Sequence, residues 1–259
     1  MDLRERRAAT RETTSRHPWE RARLGIVSRL LDAAGVWTPA VVADIGCGDG
    51  FVVGELARRF PAAAFAAVDP HLDDTTLAWL GRRLDGHRVA VCRSLEEAAA
   101  LGTADVILLL DVIEHVEDDV AFLAALRRSP LVGPGTRLVV TVPAHQRLFG
   151  PHDAFLHHFR RYDPPVLTER LEAGGFHVQQ AGEFFLGPLV LRQLQVWAFP
   201  GQRSAEGQAG VAGWSGGRAL TDLLTRLLLL DFSWSAALQR SGLRVPGLSA
   251  YALCRPSAS

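Results

Sequence analysis

Residues 41–50 read VVADIGCGDG, and the reading of this stretch decides the fold. Val41, Val42, Ala43 and Ile45 make a short apolar run with β-branched character, suited to a strand buried on both faces of a parallel sheet. The run breaks into Gly46, Gly48 and Gly50, alternate glycines that let the backbone turn sharply and let a ligand approach without interference from a Cβ. Residues 51–60, FVVGELARRF, continue as a helix whose free amides and positive dipole end face back towards the glycines. Strand, glycine turn and helix start together make a nucleotide-type site. Two such sites are excluded. A dinucleotide fingerprint needs G-x-G-x-x-G, yet its last position falls on Phe51 counted from Gly46 and on Val53 counted from Gly48. A P-loop needs a lysine after its glycines, and the chain contains no lysine.

On either side the pattern alternates strand and helix, as a doubly wound α/β sheet requires. Strands are expected at Val41–Ile45, Ala64–Val68, Val89–Cys92, Ala104–Leu110, Arg137–Val142, Phe176–Phe184 and Leu248–Cys254. The helices between them fall at residues 51–60, about 72–84, near 96–101, about 118–128 and from Asp163–Pro164 to Ala173. A leading helix spans His17–Ala34, with apolar residues at Leu24, Val27, Leu30 and Leu31 and a stop at Gly35. Ligand then belongs at the carboxyl ends of the strands, beside strand one. The organisation expected is one continuous domain: a tail and cap helix over 1–38, a cofactor-binding core over 39–143, and lid, last strands and a helical insertion over 144–259.

At 259 residues the chain suits one α/β domain with appendages, and 48% apolar with 22% charged residues is a globular composition. The 28 basic and 28 acidic residues cancel, so no nucleic-acid partner is expected. Every basic residue is arginine, which suggests a GC-rich bacterial source and excludes lysine Schiff-base chemistry. Cys47, Cys92 and Cys254 are odd in number and far apart, so neither a disulfide framework nor a zinc ribbon is indicated. The arginine-rich N-terminus, expected to be frayed over residues 1–16, has no apolar h-region, and no run reaches 18 apolar residues. A cytoplasmic protein is the expectation. The apolar helices at 186–199 and 219–230, joined by a flexible connection over 200–218, fit core or a dimer interface better than a membrane surface; the chain is expected as monomer or homodimer.

The spacing Asp44-x-Gly46-x-Gly48-x-Gly50, followed by a second strand ending at Asp69, resembles motifs I and II of the class I S-adenosylmethionine-dependent methyltransferases, which are Rossmann-like. The resemblance implies S-adenosyl-L-methionine held by Asp44, Gly46, Cys47, Gly48 and Gly50, with Asp69, next to Pro70, accepting from the ribose hydroxyls. Residues 108–119, LLLDVIEHVEDD, are similar to the D-x-x-E-H segment of ubiquinone-biosynthesis-type and related small-molecule methyltransferases. That likeness places Asp111 and Val112 against the cofactor and makes Glu114 and His115 candidates, with His115 serving either as a base or as a hydrogen-bonding group within the turn. After strand three the chain reads Arg93, Ser94 and Leu95 where such families often carry an acid. Adenine recognition then passes to the Ser94 hydroxyl or to backbone atoms. A similar leading helix with a tryptophan near an arginine lies over the pocket in that family, so Trp19 joins the acceptor side; cover of a sheet edge explains it equally well.

The insert Pro143–Tyr162, PAHQRLFGPHDAFLHHFRRY, has neither helical nor strand period and is too long for a minimal connection. Its end resembles the H-x-R-R-Y segment after strand five in many bacterial methyltransferases of sugar, lipid or secondary-metabolite pathways. His115, His157 and His158 are the candidate catalytic groups; His145, His152, Arg160, Arg161 and Tyr162 are the candidate acceptor contacts, under an insert that acts as a lid. An RRY run before a helix serves packing and capping equally well. The H-x4-H-H spacing of His152, His157 and His158 matches no common ligand pattern, so no metal is expected. Methyl transfer to a small-molecule acceptor, oxygen before nitrogen or carbon, is the function implied. Non-transfer chemistry such as cyclisation, or a non-catalytic binding subunit, are the alternatives.

Overall fold

The structure is a computed structural model describing residues 16–198 and 214–258. The tail expected over 1–16 and the connection expected over 200–218 lie mostly outside these residues. Helix α1 (Pro18–Ala33) starts where the His17 side chain accepts from Trp19 N at 3.1 Å, with proline in its first turn, and buries Ala22, Ile26, Val27, Leu30 and Leu31. Then follow β1 (Val41–Ile45), α2 (Phe51–Arg59), β2 (Ala64–Val68), α3 (Asp74–Arg83), β3 (Val89–Cys92), α4 (Leu95–Ala99), β4 (Ala104–Leu110), α5 (Asp119–Arg128) and β5 (Val132–Pro143). After β5 come α6 (Pro151–Phe155), α7 (Pro164–Ala173), β6 (Phe176–Phe184), α8 (Leu186–Ala198), α9 (Arg218–Arg240) and β7 (Ser249–Pro256). Short side chains start the crossover helices: Asp73 accepts from Thr76 N at 2.7 Å and Asp118 from Ala121 N at 2.9 Å.

The seven strands form one sheet in the order β3-β2-β1-β4-β5-β7-β6. All pairs are parallel from β3 to β5, whereas β7 runs antiparallel to both β5 and β6. Successive residues of each strand feed opposite layers. Phe65, Ala67, Val106 and Leu108 face a layer built from α1, α2, α3 and Phe232 of α9. Ala66, Val68, Ile107 and Leu109 face Ala98 together with the leucines of α5 and α7. The chain leaves β1 for β2 and β3 on one side and returns to β4 on the other, so a crevice opens between the carboxyl ends of β1 and β4.

Three segments differ from the sequence expectation. Strand β5 begins at Val132, ahead of Arg137, because Val132 already pairs with Ala104 before a register shift across Gly133–Gly135. The insert, expected without regular structure, forms a 3-10 turn at Gln146–Leu148 and the five-residue α6, which is too short to show a period. Helix α9 runs on to Arg240, ten residues beyond Leu230, because Phe232 and Ser235 keep turning inwards. No described helix is long and apolar enough to cross a membrane.

Candidate active site

The glycine turn after β1 is held by its own backbone. Gly46 N and Cys47 N donate to Val68 O at 2.7 and 3.1 Å, stitching the turn onto the end of β2. Gly46, Gly48 and Gly50 take φ values of 76°, 54° and 70°, the left-handed region that side chains resist. A Cβ on Gly46 would come within 2.6 Å of Val112 Cγ2, so Val112 closes the turn from the β4 side. Asp69 is buried at the end of β2; its Oδ1 accepts from His71 N at 2.9 Å and lies 3.5 Å from His71 Nδ1. That leaves carboxylate oxygen free for a diol. Asp44 is buried beneath the turn, and burial, reinforced by Asp69, raises its carboxyl to about 7. The same desolvation pushes the Cys47 thiol up, so it is inert packing. Pro70 is exposed beside Asp69. Ser94 caps α4 by accepting from Glu97 N at 3.2 Å, while Arg93 donates to Leu72 O and pairs with Asp74. This turn and its carboxylates fit S-adenosylmethionine: left-handed glycines at a helix start, with a buried acid one strand away.

Across the crevice, Asp111 sits at the end of β4 with φ 56° and accepts from Thr141 Oγ1 at 3.2 Å. Arg23 of α1 forms an ion pair with it, and Arg16 forms one with Asp49 of the glycine turn. Sequence reasoning named neither arginine. The available signal was the four-residue spacing of Trp19 and Arg23, which puts both on one helix face. Trp19 packs on Phe185 with ring centroids 4.1 Å apart. The cap helix is therefore tied to both walls of the crevice.

The insert meets the D-x-x-E-H turn directly. Phe159 N donates to Glu114 O at 2.8 Å. Glu114 is fully buried, and neither carboxyl oxygen has a partner among the described residues. Burial, then the charge of Asp111, pushes its carboxyl well above the usual range, so the neutral acid is favoured. The His115 and His158 rings stand edge to face with centroids 4.6 Å apart. One nitrogen or oxygen from each of Glu114, His115 and His158 lies within 4.8 Å of the other two. His158 is in turn held by Asp153, whose Oδ1 is 3.0 Å from Nδ1. Burial works against the Asp153 charge, but His158 and Arg161 outweigh it and hold the carboxyl at about 2. An ionised Asp153 keeps the proton on Nδ1 and leaves Nε2 as the acceptor nitrogen.

The remaining insert residues are distributed differently. Tyr162 is buried, donating to Asp119 Oδ2 at 2.7 Å and lying 3.1 Å from Ile113 O. Arg160 donates to Glu117 O at 2.6 Å and lies 3.0 Å from Asp119. Arg161 donates from Nε to Asp153 Oδ1 at 2.9 Å. Tyr162 and Arg160 thus tie the insert to α5, and Arg161 holds Asp153, the partner of His158. His145, with φ 62°, lies 2.9 Å from Glu183 and 3.5 Å from Asp163, on the β6 side. His157 is exposed with φ 60°, and His152 is partly buried on α6. Within the insert, sequence reasoning missed Asp153. Its signal was present as the acid that opens α6, since Asp153 Oδ2 also accepts from Gly150 N at 2.9 Å.

A family model described as a methyltransferase domain matches residues 19–181, which is more than half of the chain. The chain belongs to this family, the class I S-adenosylmethionine-dependent methyltransferases, and it is an enzyme of that class. Its fold is similar to that of a putative sarcosine dimethylglycine methyltransferase from Galdieria sulphuraria, at TM-score 0.56 and 14% identity over 90% of this chain and 85% of that one. A 4+2 cyclase, SpnF, aligns at TM-score 0.55 and 16% identity over 96% of this chain and 86% of its own. The mycolic acid cyclopropane synthase CmaA1, without ligand, aligns at 0.53 and 14% over 98% and 99%. At these identities the likeness is one of fold. A search of curated proteins finds no significant match.

Proposed function

We propose that the enzyme methylates a hydroxyl oxygen of a small molecule in bacterial secondary-metabolite, sugar or lipid-type biosynthesis, in the cytoplasm, as monomer or homodimer and without a nucleic-acid partner. The observation that supports an oxygen acceptor is the 3.0 Å contact between His158 Nδ1 and Asp153, near the buried carboxyl of Glu114. When bound, the cofactor supplies a methyl group on a positively charged sulfur, and displacement there requires an acceptor held in line. A hydroxyl must also lose its proton. His158 takes that proton at Nε2, Asp153 holds the ring in the right tautomer, and the resulting imidazolium is stabilised by the same carboxylate. Asp69, Asp111 and the glycine turn hold the cofactor, and Trp19 with the insert covers the acceptor.

The reading is metal-free. The H-x4-H-H spacing of the insert histidines matches no common ligand pattern, which favours proton transfer over cation binding at Glu114, His115 and His158. Turnover is expected to survive dialysis against EDTA; loss that zinc or magnesium restores would turn Glu114, His115 and His158 into ligands. The primary test is a screen of candidate hydroxyl, amine and carbon acceptors with methyl-labelled cofactor. The expected product is an O-methyl ether, with His158→Gln slowing its formation by about 10²–10⁴-fold. Label found on nitrogen or carbon would overturn the acceptor atom. Conversion of an acceptor without release of S-adenosylhomocysteine would point to cyclisation.

A further inference from the structure

Asp153 reaches His158 from α6, a helix of five residues, too short to hold a side chain in place by itself. Three donors meet the carboxylate. Gly150 N binds Oδ2 at 2.9 Å, while His158 Nδ1 at 3.0 Å and Arg161 Nε at 2.9 Å share Oδ1. Gly150 belongs to the start of α6 and moves with it, and His158 is the ring to be oriented. Arg161 is the donor that brings a fixed reference. Its Nη1 donates to Ala144 O at 3.3 Å, directly after β5, and its backbone N donates to Gln146 Oε1 at 2.8 Å. Ala144 is in turn held to the sheet edge, its N donating to Leu248 O at 3.0 Å beside β7. Contacts therefore run from the sheet through Arg161 to Asp153, and from Asp153 to the imidazole.

Charge assigns Arg161 the same place. The two side chains are only 13% and 2% exposed, so their attraction is little screened by solvent. A carboxylate buried beside a neutral imidazole alone would carry the cost of desolvation without a compensating cation. A guanidinium offsets that cost whichever state the imidazole is in, because arginine does not titrate. Asp153 then stays an acceptor for Nδ1–H and takes no proton itself when Nε2 gains one. The neighbouring groups cannot replace this cation. Burial keeps Glu114 neutral, His115 is itself a titrating ring, and Arg160 is turned towards Asp119 and Glu117 O. We propose that Arg161 is a positioning residue: it holds Asp153 against His158 Nδ1 and so leaves Nε2 as the nitrogen that receives the acceptor's proton. The proposal rests on His158 as the base, and it moves Arg161 from the acceptor contacts to the Nδ1 side of that base.

The tautomer of His158 tests this and needs no acceptor. It is read from two-bond proton–nitrogen correlation spectra of the full chain, isotope-labelled at histidine, with His158→Gln assigning the signal among nine histidines. At about pH 9, where an ordinary imidazole is neutral, the form protonated at Nδ1 is expected in about tenfold excess or more in wild type. Arg161→Gln is expected to lower that excess to less than about threefold. Arg161→Lys keeps the charge but not the fork that also reaches Ala144, so an excess between the two is expected. In an Asp153→Asn background, Arg161→Gln should change the spectrum no further, because the arginine acts through that carboxylate. Far-UV circular dichroism, and S-adenosylhomocysteine affinity within about threefold of wild type, show that the fold persists. An unchanged excess in Arg161→Gln, or a further change in the Asp153→Asn background, would overturn the proposal. If the glutamine variant does not fold, the lysine variant decides, and a full wild-type excess there counts against the proposal. Failure of the base reading shows elsewhere, as undiminished methyl transfer by His158→Gln.

Discussion

The two walls of the crevice are built on different physics. On the β1–β2 side, backbone makes the site: three glycines in left-handed conformations, amides stitched to Val68 O, and a buried aspartate with open oxygen. On the β5 side, side chains make it, and most are spent on one another. Asp119 alone gathers Tyr162, Arg160 and Arg170, at 2.7, 3.0 and 3.2 Å, with no exposed surface. The first wall is set for one ligand common to a family. The second is a scaffold that brings one polar atom each of Glu114, His115 and His158 within 4.8 Å of one another.

Breaking the scaffold should cost most. Asp119→Ala removes a fully buried carboxylate shared by Tyr162, the half-buried Arg160 and Arg170, and urea unfolding is expected to show a loss of about 3–5 kcal/mol. A loss below about 1 kcal/mol would mean that the insert is anchored elsewhere. On the other wall, Gly46→Ala forces a left-handed alanine against Val112 and is expected to cost about 2 kcal/mol while weakening cofactor binding. An unchanged melting temperature and affinity in that variant would show a turn that adapts freely.

Opposite pH dependences sharpen the contrast further. Asp44 is raised to about 7 in the folded chain, so between 3.8 and about 7 the folded state keeps a proton that the unfolded chain has lost. Its contribution to stability falls as pH rises through that window, at about 1.4 kcal/mol per unit of difference. Asp44→Asn is expected to stabilise the cofactor-free protein at pH 8 and barely at pH 4. Asp153, held at about 2, contributes stability above its ordinary value and loses it as pH falls towards about 2. Asp153→Asn should therefore destabilise at pH 7 and become neutral in acid. Thermal melts across pH check both, and the same sign in both variants would contradict the assignment. The smallest effect belongs to His157, exposed and in a left-handed conformation: His157→Asn is expected to change turnover less than twofold, because asparagine tolerates that backbone.

These two walls were unequally legible in the sequence. The glycine turn, Asp69 and all seven strands could be read because backbone needs leave local traces: glycine where φ is positive, alternating apolar runs where a strand is buried. The insert could not be read that way. The sequence groups His152, His157 and His158, but folding turns His157 outwards and brings His158 to Glu114 and His115, more than forty positions earlier. Tyr162 looks like a substrate hydroxyl until Asp119 is placed beside it. Asp153 carried only the local signal of a helix start, although its second oxygen orients His158. Whether an apolar helix is covered likewise depends on its neighbours, and for α9 only the fold shows Leu220, Leu223, Leu227 and Leu230 facing outwards.

The division of labour between the walls is tested most directly by calorimetry with S-adenosylhomocysteine on three proteins. Wild type is expected to bind with about 1:1 stoichiometry. Asp69→Ala, which removes a charged acceptor for the ribose hydroxyls, is expected to lose about 1.5–3 kcal/mol of affinity, at least tenfold. His158→Ala is expected to stay within about threefold of wild type, because its work is on the acceptor side. Equal weakening in both variants, or full affinity in Asp69→Ala, would contradict the account.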